Sequence, residues 1–124
     1  MDKVKQTVGY WCDDTRSGAY AGKGIGVAIL DTGISVHPDF DNRIVAFQDM
    51  RKNSRFGYDI NGHGTHVAGI IGGSGKLSGG KYSGMAPSCG LIMVRVLDEK
   101  GDGEIRTVIE GIRWVRRNRR RYNI

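Results

Sequence analysis

Two short apolar runs that never alternate with polar residues constrain this chain most. Gly26–Leu30 reads GVAIL and Leu91–Leu97 reads LIMVRVL, both rich in branched side chains. A strand with one wet face alternates apolar and polar residues, whereas a strand apolar on both sides must be covered on both. Such strands belong in a parallel sheet flanked by helices. Arg43–Phe47 (RIVAF) reads as a third, weaker strand. His63–Ile71 has Val67, Ala68, Ile70 and Ile71 and reads as a helix packed on the sheet through Gly64, Ala68 and Gly69. From Glu104 onward, Ile105, Val108, Ile109, Ile112 and Val115 recur at three- and four-residue spacing, predicting an amphipathic helix with Arg106, Glu110, Arg113 and Arg117 on its polar face. Strands alternating with helices give an α/β class with a parallel sheet. Residues 1–124 read as one unit, without an internal repeat.

Composition narrows the functional classes. With 39% hydrophobic and 26% charged residues, the 124-residue chain falls in the globular range. No apolar run approaches the roughly 20 residues of a membrane helix, and the opening MDKVKQTVGYW has no apolar stretch of signal-peptide type, so the expectation is a cytoplasmic chain away from membranes. Cys12 and Cys89 fit no metal or Cys-x-x-Cys spacing and read as buried or free thiols in preference to a disulfide. The formal charge of +6 is concentrated at Arg113, Arg116, Arg117, Arg119, Arg120 and Arg121. Nucleic acid is one reading of that cluster. A solvated helix end is the preferred one, because arginines there favour the helix dipole and no aromatic platform accompanies them.

Two places carry the residue types of catalysis. Asp31 follows the first strand directly, at the sheet edge where α/β proteins place ligands, and Asp31-Thr32-Gly33 adds a turn; alone, this aspartate could equally cap a loop. The second is Asn61-Gly62-His63-Gly64-Thr65-His66, an imidazole at a helix start among glycines that leave room for substrate. His63 there suits a general base, and a buried carboxylate beside it would fix its tautomer. His63 and His66 could instead ligate a metal with His37 or Asp31. The zinc-protease spacing is four with an intervening Glu, so a packed, hydrogen-bonded His66 is the preferred expectation.

These motifs carry a resemblance. GVAILDTGISVHPDF and NGHGTHVAGIIGG resemble the segments bearing the catalytic Asp and His of the subtilisin-like serine proteases. Gly84-Met85-Ala86-Pro87-Ser88 resembles the family's Gly-x-Ala-Pro turn, and LIMVRVLDEKGDGEIRTVIEGIRWV its following strand, substrate-binding loop and helix. Order and spacing agree over about Lys23 to Val115. The resemblance implies the N-terminal portion of a parallel-sheet subtilisin-like fold, with Asp31 as orienting carboxylate and His63 as general base. It also implies that Gly101, Asp102 and Gly103 pair with an extended polypeptide substrate, and that Ile105 and Val108 line a pocket beyond them. Asp102 and Glu104 at this rim suggest a mild preference for basic peptides.

The chain departs from the family in one large respect. The nucleophilic Ser in Gly-Thr-Ser-Met-Ala and the oxyanion Asn lie downstream in the family, and neither occurs in these 124 residues. The expectation is therefore a piece of a longer protease, a split enzyme whose other chain supplies Ser and Asn, or a noncatalytic peptide-binding relic, inactive alone in each case. Lys76–Lys81 stands where the family has a calcium loop, and its lysines have the wrong charge for a cation, so no metal is expected there, and no cofactor. Asp-Thr-Gly after an apolar strand also marks retroviral-type aspartic proteases, but such subunits are nearly all β and have no place for the His motif or the last helix.

Overall fold

The computed structural model describes residues 2–10, 20–52 and 57–124. Cys12, whose thiol was considered above, lies outside them. The elements are α1 (Asp2–Thr7), β1 (Gly26–Asp31), β2 (Ile44–Asp49), α2 (His63–Gly72), β3 (Gly90–Arg95) and α3 (Ile105–Asn118). Short 3-10 turns at Pro38–Phe40 and Lys76–Ser78 complete the order. The strands form one sheet in the order β1-β3-β2, parallel throughout, with a register shift at Ile44/Ala46. This is the parallel α/β arrangement expected, and not the nearly all-β fold of an aspartic protease subunit.

β3 is central because it is the most continuously apolar. Leu91, Ile92, Met93 and Val94 are each 0% exposed, so water reaches neither face. Burying each such side chain contributes about 1.5–3 kcal/mol against its exposed state, enough to fix which strand lies inside. Their alternation sorts the core into two layers. Leu91 and Met93 join Ile29, Ala68 and Ile71 on the α2 side, while Ile92, Val94 and Val96 meet Leu30, Val108 and Val115 on the α3 side.

Both helices approach through residues that lack bulk. α2 buries Gly64, Ala68 and Gly72, one residue per turn. Gly69, expected in that contact, has open space beside its Cα, whereas a Cβ on Gly72 would come 3.0 Å from the Cys89 sulfur. Cys89 itself is a buried free thiol, which burial pushes up in pKa.

α3 corrects the predicted apolar stripe. Ile105, Ile109 and Ile112 are exposed, and the buried face runs instead through Val108, Gly111, Trp114 and Val115. Gly111 sets this rotation: a Cβ there would lie 2.7 Å from Val96 Cγ1. The helix therefore seats where it has least bulk, turning three isoleucines outward. α1 was not anticipated; it docks through Lys5 Nζ, which donates to Ser83 Oγ at 2.7 Å.

Candidate active site

In the strand register Arg95 pairs with Asp31 on one side and Asp49 on the other, so three charged residues end the three strands. Arg95 and Asp49 turn inward as a buried pair. Arg95 donates to Asp49 Oδ2 at 3.1 Å and, through Nε, to the Thr32 carbonyl at 3.0 Å. The Tyr58 ring lies 4.9 Å from its guanidinium carbon, and the Tyr58 hydroxyl donates to Asp49 Oδ2 at 2.8 Å. Burial opposes ionisation of Asp49, but donors from Tyr58, Arg51 and Lys52 and the Arg95 charge outweigh it, leaving its pKa below 3.8. The buried cation thus holds the backbone immediately after Asp31.

Asp31 faces the crevice. Its Oδ1 accepts from the Thr32 N–H at 2.7 Å, and its Oδ1 and Oδ2 lie 2.9 and 3.0 Å from His63 Nδ1. His63 is the first residue of α2, and its side chain is 62% exposed, so the ring edge opposite Asp31 is open. The hydrogen bond to Asp31, then the Asp31 charge, raise the His63 pKa above its ordinary 6.5, with a smaller push from Asp59.

Glycines let the two segments meet. A Cβ on Gly64 would lie 2.2 Å from the Gly33 carbonyl oxygen, and one on Gly33 would lie 2.0 Å from the Tyr58 carbonyl oxygen. Gly33 also has φ +143°, a conformation that side chains disfavour. No larger residue fits either place without separating the aspartate turn from the histidine helix.

Asp59 stands at the centre of this crossing and was missed in the sequence. Its Oδ1 accepts from the Thr32 hydroxyl and the Gly62 N–H, both at 2.9 Å, and its Oδ2 accepts from the Thr65 N–H at 2.8 Å and from the Thr65 hydroxyl. Burial opposes its ionisation, yet the Thr65, Gly62 and Thr32 donors prevail and hold its pKa below 3.8. Gly62 offers no side chain to cap α2, so Asp59 takes the N–H groups of Gly62 and Thr65, while Asn61 and Thr32 take those of His63 and Gly64. An acidic residue just ahead of a predicted helix start was the available signal.

The other anticipated residues fall in different settings. Gly101, Asp102, Gly103 and Glu104 are exposed, and Glu104 is extended at φ −84°, ψ 139°. The turn before them is pinned by Asp98, whose Oδ1 accepts from Lys100 and Asp102 N–H groups, both at 2.9 Å. Ile105 is 80% exposed, whereas Val108 turns inward onto β3, so the two do not stand side by side on the surface. Asn61 links edge and site: its amide donates to the Glu99 carbonyl at 2.9 Å, and its Oδ1 accepts from the His63 N–H at 3.1 Å. His66 corrects another expectation. It is exposed, not packed, and with His37, Phe40, Thr65, Ile70 and Tyr82 it borders a groove of about 710 Å³.

With this geometry in place, comparison with known proteins is decisive. The model of the subtilase family matches residues 22–123. The chain belongs to the subtilase family. It is 50% identical over 93 residues to serine protease AprX of Bacillus subtilis, covering 75% of this chain and 21% of that protein. Subtilisin Savinase of Lederbergia lenta is 42% identical over 98 residues, covering 78% of this chain and 35% of that one. A cold adapted subtilisin-like serine proteinase superposes with a TM-score of 0.70 at 40% identity, over 79% of this chain and 34% of that structure. Sphericase gives a TM-score of 0.72 at 31% identity, over 82% and 34%. The chain thus spans a fifth to about a third of these relatives, the part that carries Asp31 and His63.

Proposed function

We propose that this chain supplies the acid–base half of a peptide-bond hydrolase, with Asp31 as orienting carboxylate and His63 as general base. The observation that carries this reading is the contact of His63 Nδ1 with both Asp31 oxygens, at 2.9 and 3.0 Å. Asp31 accepts the Nδ1 proton and so leaves the Nε2 lone pair free. Nε2 would take the proton of an attacking serine hydroxyl as its oxygen bonds to the scissile carbonyl carbon. The imidazolium would then pass that proton to the departing amine, and a water would repeat the cycle to free the acyl group. The serine and the oxyanion donors would come from a segment outside these 124 residues, so the chain alone is inactive in this reading. The exposed Gly101–Gly103 edge would pair with the backbone of the polypeptide substrate, and Ile105 would stand beside one of its side chains.

Combining the chain with the nucleophile-bearing remainder of a close relative, joined or as a separate segment, tests the reading. Labelling by a serine-reactive fluorophosphonate and peptide cleavage should appear in the combination and not in the chain alone. A well-folded combination that stays unlabelled would overturn it. The base must be neutral to act, and its pKa is raised, so the acid limb of kcat/KM should lie above pH 6.5. Asp31→Asn should move that limb down.

A further inference from the structure

We propose that Asp59 is a positioning residue for the Asp31–His63 pair, acting through the hydroxyls of Thr32 and Thr65. This rests on the functional reading above and extends it to a residue that touches neither substrate nor reacting atoms.

The argument begins with what a hydroxyl can do. It has one hydrogen to donate and lone pairs to accept, and its rotor is free unless the donated hydrogen is held. Thr32 gives its hydrogen to Asp59 Oδ1 and accepts the Gly64 N–H at 3.0 Å. Thr65 gives its hydrogen to Asp59 Oδ2 and accepts the Ser35 N–H at 3.0 Å. One threonine lies on the turn after Asp31 and reaches the helix; the other lies on the helix and reaches back to that turn. Asp59 therefore orients both hydroxyls, and each then bonds across the gap in the opposite direction.

The two clasps straddle the reacting pair. Thr32 adjoins Asp31 and Gly64 adjoins His63, so the Thr32–Gly64 bond sets how far the carboxylate stands from the imidazole. Only an ionised carboxylate can accept four donors here, because an amide would turn an NH₂ toward two of them. Displacement of about 1 Å at a catalytic pair can cost on the order of a hundredfold in rate, so the clasps need shift little to matter.

The test separates positioning from capping and from charge. His63 is titrated by NMR in the 124-residue chain and in Thr32→Val, Thr32→Ser, Asp59→Asn and Asp31→Asn variants. Kinetics are measured on the same variants in the combined protease. Thr32→Val keeps the Asp59 charge and the bonds of Asp59 to Gly62 and Thr65, but removes one clasp and with it the acceptor of the Gly64 N–H. It should lower the His63 pKa toward 6.5 and reduce kcat roughly tenfold to a hundredfold with KM unchanged. Thr32→Ser should restore both, and Asp59→Asn should behave as Thr32→Val or worse. Circular dichroism identifies any variant that fails to fold, and the near-isosteric Thr32→Ser and Asp59→Asn keep the test open in that case. A folded Thr32→Val with unchanged pKa and kcat would overturn the proposal and leave Asp59 a helix cap. If Asp31→Asn also left the His63 pKa unchanged, the functional reading itself would fail, a distinct outcome.

Discussion

The corner that holds Asp31 and His63 and the edge at Gly101–Ile105 are built on opposite plans. In the corner the backbones cross where no Cβ fits, and Asp49, Asp59, Thr32, Thr65 and Arg95 are each hydrogen-bonded to neighbours within the chain. At the edge, Gly101 to Ile105 are all exposed, and the Asp98 turn and the start of α3 tie the backbone down. The acid–base role proposed for this corner would tolerate little error, and its geometry is assembled from contacts this segment contains. On the reading proposed above the edge would pair with a peptide, and such a surface needs its backbone accessible.

The largest effect that would test this contrast is on chemistry. In the combined protease His63→Ala should reduce kcat on the order of a millionfold, the magnitude already known for the triad histidine of subtilisin. A mutant within tenfold of the parent would remove the corner from the mechanism. Next comes stability. Asp49→Asn strands the buried Arg95 guanidinium, and unpairing such an ion costs about 3–5 kcal/mol. Urea unfolding should show it, and a change near zero would mean that water already reaches the pair. Acid should act in the same direction. Asp49 and Asp59 have depressed pKa values, so their stabilisation is present above pH 3.8 and is lost as pH falls through their native pKa. The smallest effect belongs to the edge. Asp102→Lys should leave unfolding unchanged and shift the ratio of cleavage rates for matched Lys and Glu peptides by a few-fold, since exposed charges contribute about 0–1 kcal/mol. Equal rates for those peptides in the parent would sink the proposed basic preference.

Legibility in the sequence followed the same divide. β1 and β3 announced themselves because apolar runs without alternation have few places to go, and the Asp31 and His63 motifs stood out by residue type and spacing. Periodicity misplaced the buried face of α3, because a hydrophobic stripe counts Ile105, Ile109 and Ile112 and ignores Gly111, whose missing side chain decides the packing. Arg95 gave a signal that spacing does not register: a charge inside LIMVRVL demands a buried partner, though the sequence does not say that it is Asp49 on another strand. Asp59 was hidden among polar neighbours because its role depends on two threonines 27 and 6 residues away.

The buried pair at the strand ends has a consequence at the other end of the pH scale. A guanidinium does not lose its proton in proteins, whereas a lysine ammonium begins to do so near pH 10.4. The hydroxyl of Tyr58, which completes the pair, is also raised above its usual pKa of 10.0, by burial and by Asp49. Its stabilisation is therefore held through ordinary alkaline conditions and lost only as pH rises through that elevated native pKa. The anchor behind Asp31 is accordingly built from groups that keep their charge and their hydrogen in alkali, so high pH should loosen other parts of the chain before it loosens the backbone that carries Asp31.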